Sequence, residues 1–156
     1  MLVFASTLPC VVTQGLSAQL ALQCATFQLL LRRVAATQAR LSVLQASIEQ
    51  APSAAGQDKV VSLPQVRLQI QIRHTRGHLV ALATEVDHVA ADVCKTGNTL
   101  IVETRGRVVG LVSRASRRSG TCEPALVRTI KFAIEEANVE IERVLKCVAQ
   151  VSMDAK

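Results

Sequence analysis

The chain has 156 residues, of which 49% are hydrophobic, and it carries a formal net charge of +6. A single domain of this length buries enough apolar surface to fold without disulfides or a structural metal. Because the sequence lacks Trp and Tyr and has three Phe residues, its core must be aliphatic. The same shortage excludes a surface on which nucleic-acid bases stack against aromatic rings.

The cysteines predict a reducing location. They are five in number, an odd count, and none forms a C-x-x-C pair, which argues against a disulfide framework or a zinc site. We therefore expect an intracellular, cytoplasmic protein with reduced thiols. The five residues are Cys10, Cys24, Cys94, Cys122 and Cys147.

Residues 1–31 contain no charged side chain. A secretory signal would need basic residues before its apolar run, and a transmembrane helix would need about 20 largely apolar residues. Four glutamines interrupt this segment, so we expect no membrane span. We also expect residues 1–12 to be mobile. No acidic residue precedes Glu49, and arginines occur from Arg32 onward. The alternative to a cytoplasmic location is therefore an organelle, reached through a mitochondrial-type targeting sequence.

The first predicted element is a long helix from Thr13 to Gln50. Its apolar residues recur at alternating steps of four and three, the pattern by which one helix packs along another, and we call such a set of apolar lines a seam. This seam consists of Leu20, Phe27, Val34, Leu41 and Ile48, with Leu16, Leu30 and Leu44. Gln23 and Thr37 interrupt it, and polar residues in a seam can set its register.

The segment after this helix is rich in Ala, Pro, Ser and Gly, which predicts a flexible linker at about 51–62. A second seam then runs between Leu63 and Lys95. It consists of Ile72, Leu79, Val86 and Val93, with Leu68, Leu82 and Val89. Residues 65–73 also alternate polar and apolar with a period of two, which favours a strand. As a helix, they would turn Val66 and Ile70 away from that seam, so the segment would need partners on two sides.

Residues 99–116 fit two structures. The β-branched residues around Arg105-Gly106 are typical of a β-hairpin, whereas a helix would collect most of the apolar residues on one side. We favour the helix, although each of its two glycines costs about 1 kcal/mol relative to Ala. Gly97 predicts the end of the preceding helix, and Asn98 or Thr99 predicts the cap of this one.

The last predicted helix begins near Pro124 and has an unbroken seam. The seam consists of Val127, Ile134, Ile141 and Val148, with Ile130, Ala137, Val144 and Val151. Short connections at 95–99 and 117–123 indicate antiparallel neighbours. The predicted fold is therefore all-α, a single domain over 1–156 that forms an antiparallel bundle of about four helices. The alternative is an α+β fold, in which a small antiparallel sheet from 65–73 and 99–113 packs on three helices.

The residue types that could carry chemistry do not form a recognisable site. His74 and His78 lie four apart, and Glu85 and His88 have the Glu-x-x-His spacing of di-iron bundles, but the sequence has no second such pair. It also lacks a phosphate-binding loop, a dinucleotide fingerprint and a nucleophile-elbow motif. We therefore expect surface histidines, no enzymatic activity, no metal, no cofactor and no small-molecule substrate.

Two features predict how the protein works. Phe132 and Val139 lie opposite the last seam and Leu145 lies beside it, so these are candidate interface residues. They favour a non-enzymatic subunit or adaptor that packs its helices within a larger protein assembly. The alternative is a basic bundle that docks on nucleic acid or an acidic membrane surface. Its candidate anion-binding residues are Arg105, Arg107, Arg114, Arg117 and Arg118.

Overall fold

The computed structural model of the protein describes residues 7–50, 62–118 and 124–156. Over these ranges the chain forms three helices, α1 (Thr7–Gln50), α2 (Leu63–Arg118) and α3 (Pro124–Asp154), which pack against one another. No strand occurs in the described ranges, so the all-α prediction is confirmed there. The sheet alternative is not supported, because 65–73 and 99–113 are both helical. None of the described helices has a stretch apolar enough to cross a lipid bilayer.

The predicted count of about four helices is not confirmed, because the helix expected to stop at Gly97 continues to Arg118. Gly97 is buried and faces α3 closely. A Cβ atom added there would lie 2.7 Å from Val148 Cγ2 and 3.2 Å from Val144 Cγ1. The glycine therefore permits a close approach of two helices, and it does not terminate one.

Residues 65–73, whose apolar residues alternate with a period of two, are helical. Leu68 and Ile72 are half-buried, whereas Val66 and Ile70 are exposed at 37% and 62%. The alternation thus places apolar residues on two sides of one helix. The helix begins at Leu63, and the carbonyl oxygen of the preceding Ser62 accepts hydrogen bonds from the backbone N–H groups of Gln65 and Val66. Pro64 fits this first turn because an N–H group there has no partner within the helix.

The described chain divides into two compact units. Unit 1 comprises Met1–Ala25 and Val89–Lys156, and unit 2 comprises Thr26–His88. The expectation of a single domain stays a prediction. The predicted linker lies outside the described residues except for Ser62, and so do residues 1–6 and the side chains of 7–12 in the segment expected to be mobile.

Unit 1 has a well-buried aliphatic core, to which all three helices contribute. Its most buried apolar side chains, each at most 4% exposed, are Leu20, Val93, Leu100, Val144 and Val151. The predicted seam of α3 is buried or half-buried except at Ile134, which is 37% exposed. The Oε1 atom of Gln23 is buried without a hydrogen-bond partner among the described residues. Such an atom costs about 1–3 kcal/mol, which makes Gln23 a weak point of its seam.

Unit 2 contains two helical segments, and it buries fewer side chains. Its buried residues are Phe27, Leu30, Thr75, Leu82 and Val86. The Thr75 hydroxyl donates to the carbonyl oxygen of Gln71 at 2.8 Å, which satisfies this buried polar group within its own helix. The other seam residues of the unit, including Val34, Leu41 and Ile72, are half-buried. Unit 2 therefore leaves much of its apolar surface only partly covered.

Gly97→Ala tests the close approach of α2 to α3. Overpacking costs about 1–3 kcal/mol, and the gain in helix propensity is at most about 1 kcal/mol, so we expect a net loss of stability. Val148 is β-branched and cannot easily rotate its methyl group away. Urea unfolding followed by circular dichroism measures the change.

Gly106→Ala is the matched control for this substitution. A Cβ atom at Gly106 would meet nothing within 4 Å, so only the propensity term acts, and we expect stabilisation by about 0.5–1 kcal/mol. If both substitutions stabilised the protein equally, Gly97 would not be a packing residue.

Candidate functional site

A cleft lies on the surface of unit 1. Its volume is about 630 Å³, and all three helices line it. Apolar side chains cover part of the cleft, namely Val108, Leu111, Ala133, Ala137 and Val139. Hydroxyl and charged groups surround them, namely Thr13, Ser17, Thr104, Arg107, Glu136 and Glu140. Such a lining can hold an amphipathic group.

Hydrogen bonds between helices fix the polar part of this cleft. Arg107 on α2 donates from Nη1 to Thr13 Oγ1 on α1 at 3.0 Å. Arg143 on α3 donates from Nη2 to Ser17 Oγ at 2.6 Å and to Glu140 Oε1 at 2.7 Å. The Arg143–Glu140 pair is solvated, so it stabilises the fold by only about 0.2–1 kcal/mol. These bonds orient the side chains at the cleft more than they hold the helices together.

The titratable side chains of the cleft are one basic group and three carboxylates, namely Arg107, Glu135, Glu136 and Glu140, and the lining contains neither histidine nor cysteine. Among the described residues, no group of three or more His, Cys, Asp or Glu side chains could hold a metal ion. His74, His78, His88 and Glu85 are all exposed on α2.

Two cysteines meet in unit 1, a contact that the sequence did not reveal. Cys24 on α1 and Cys147 on α3 are half-buried and interact through their thiols. Burial, the hydrogen bond with Cys147 and charge repulsion from it raise the pKa of Cys24 from 9.0 to about 12. The thiolate is therefore disfavoured, and with it the reactivity of Cys24.

The predicted interface residues are exposed on α3. Phe132, Val139 and Leu145 have 62%, 67% and 52% of their surface accessible. Phe132 and Val139 lie seven residues apart, so they share one side of the helix, and Val139 also borders the cleft. Leu145 lies about 100° or more around the helix from them. The first two residues form a joint surface, and Leu145 is not part of it.

The predicted anion-binding arginines do not lie on one side of α2. Arg107, Arg114 and Arg117 share a broad side, whereas Arg105 lies about 200° around the helix from Arg107. Arg107 is already hydrogen-bonded to Thr13. The side chain of Arg118 lies outside the described residues. Phosphate binding by this set stays a prediction.

Comparison with known proteins gives no match, since no family model, no curated protein and no solved structure resembles the chain significantly.

The thiol of Cys24 gives a prediction on pH. At pH 8.5 we expect iodoacetamide to modify Cys24 more than about tenfold more slowly in the folded protein than in the guanidinium-unfolded chain, because only the thiolate reacts. Since the folded pKa is the higher one, Cys24 also makes stability fall as pH rises from 9.0 toward about 12. Peptide mapping by mass spectrometry measures each site separately.

The control variants for this prediction are Cys147→Ala and Cys94→Ala. Loss of the Cys147 thiol removes two of the three causes of the raised pKa, so alkylation of Cys24 should become faster. Cys94→Ala should leave the Cys24 rate unchanged. Equal alkylation of Cys24 in the folded and unfolded chains would contradict the assignment.

Proposed function

We propose that the protein is a non-enzymatic subunit or adaptor that enters a larger assembly by packing its helices against other chains. The observation that carries this proposal is the exposure of Phe132 and Val139 on α3, at 62% and 67%. Phe132 is one of only three aromatic residues in the sequence. Large apolar side chains that share one exposed side of a helix are typical of protein interfaces.

The free energy gained by burying Phe132 and Val139 also favours a partner helix at this surface. Full burial of a Phe or Val side chain contributes about 1.5–3 kcal/mol, so a partner helix that covers both residues gains several kcal/mol from them alone. Val139 lies at the edge of the cleft, which gives an incoming side chain a recess beside the exposed pair. Recesses beside apolar anchors are where interface energy concentrates.

The alternative is docking on a polyanion, either nucleic acid or an acidic membrane surface. Arg107, Arg114 and Arg117 support it, since their shared side of α2 could follow a row of phosphates. The position of Arg105 and the hydrogen bond from Arg107 to Thr13 weaken it. We therefore treat it as the second candidate.

Phe132→Asp tests the proposal. We expect the tagged full chain, cross-linked through lysine in its own cells, to form links from Lys131, the neighbour of Phe132, to another chain. The Asp variant should lose these links, because it places a charge at a desolvated contact. Ala149→Asp introduces the same charge at another exposed position of α3 and should keep them.

Binding to heparin distinguishes the two candidates. An assembly held by apolar packing should survive high salt, whereas polyanion binding should weaken steeply with salt and with Arg107, Arg114 and Arg117 changed to Gln. The adaptor proposal fails if Lys131 forms no link to any other chain, or if Phe132→Asp leaves those links intact.

A further inference from the structure

Unit 2 has an unusual distribution of charge. We call residues 26–48 of α1 and 63–84 of α2 the arm. The arm contains no Asp or Glu. Its basic residues, all exposed, are Arg32, Arg33, Arg40, Arg67, Arg73 and Arg76. A solvated helix usually mixes both signs, because oppositely charged neighbours at i,i+4 stabilise it.

Apolar residues lie among these arginines on the outer side of α1. Leu29 and Val43 are exposed at 57% and 66%, and Ala36 lies between them at the same spacing of seven. We call these three residues the outer stripe. Arg33 and Arg40 lie along one edge of the outer stripe, and Arg32 lies along the other. The outer stripe thus resembles the half of a coiled coil whose charged flanking residues are all basic.

The charge of the arm limits what can cover the outer stripe. The outer stripe of a second copy would bring arginines against arginines, which is unfavourable. Helices that bind lipid surfaces present bulky and aromatic residues, yet the outer stripe is narrow and the only aromatic residue of the arm, Phe27, is fully buried. Phosphate backbones do not require an apolar stripe. The fitting partner is an acidic helix with apolar residues seven apart.

The chain itself contains such a helix. Residues 132–142 of α3 include four Glu and no basic residue, with Lys131 and Arg143 directly at the two ends and Glu140 paired with Arg143. On this segment Phe132 and Val139 are exposed with the same spacing of seven. Glu135 and Glu142 lie along one edge of this pair, and Glu136 lies along the other. All three of these carboxylates are exposed.

We infer that α3 of a second copy packs on the arm, with Phe132 and Val139 against the outer stripe and the glutamates against Arg32, Arg33 and Arg40. Ala36 is small, so it leaves a recess between Leu29 and Val43 that suits the ring of Phe132. This inference rests on the proposed function and names the partner chain at the same α3 surface.

Exchange of charges between two variants tests the contact. The full chain, with a monomer mass of 16.8 kDa, should associate in sedimentation velocity as its concentration rises. The variants Arg33→Glu/Arg40→Glu and Glu135→Arg/Glu142→Arg should each associate at least roughly tenfold more weakly, since like charges then face each other. A mixture of the two should associate again, because opposite charges face each other once more.

The matched control is Arg67→Glu/Arg73→Glu. It changes the net charge of the arm equally but lies on α2, so it should associate like the original chain. Phe132→Asp and Leu29→Asp should both abolish association, and circular dichroism shows whether each variant still folds.

The inference is overturned if the purified chain stays monomeric, or if the mixed variants fail to associate. A monomer that binds heparin or phosphatidylserine vesicles through Arg33 and Arg40 would also overturn it. The arm would then be a binding surface for a polyanion. A monomeric purified chain whose Lys131 still links to a different protein in cells would remove this inference and leave the proposed function standing.

Discussion

Two helices that pack side by side can bury only one stripe of each other, and this limit determines how the apolar residues of the chain are arranged. In unit 1, where three helices contribute, Val93, Leu100 and Val144 have at most 1% of their surface exposed. In unit 2, where two segments contribute, most seam residues are half-buried, and Leu29 and Val80 are largely exposed. Because 49% of the sequence is hydrophobic, the helices carry more apolar surface than their neighbours within each unit cover. We propose that further chains cover this exposed apolar surface.

The sequence predicted the seams well and the connections less well. Spacing by three and four is a property of one helix, so the positions that face inward on α1 follow from the sequence alone. The prediction that a helix ends at Gly97 is wrong because glycine serves both as a helix end and as a close-packing residue. Only Val144 and Val148 distinguish the two roles, and they lie about fifty residues further along the chain. The contact between Cys24 and Cys147, like the cleft, depends on the register between helices, which the spacing within one helix does not specify.

The distribution of charge along the chain suggests a contact only when it is combined with the burial of the apolar residues. The sequence shows that the arm lacks acids and that residues 132–142 lack bases. Burial adds that Leu29, Val43 and Phe132 lie exposed among those charges. Mixed signs within one helix would satisfy each other locally. In the contact that we propose, the arginines of the arm attract the exposed glutamates of residues 132–142, while the seven-residue spacing supplies the apolar contact.

Hydrogen exchange of the arm tests most directly whether its outer side is covered by another chain. We expect the backbone amides of residues 26–48 to exchange quickly in the dilute purified chain and to become strongly protected when the chain is assembled, since partner packing raises the free energy of local opening. Protection that is already high in the dilute chain and unchanged on assembly would show instead that the arm is stable without any covering partner.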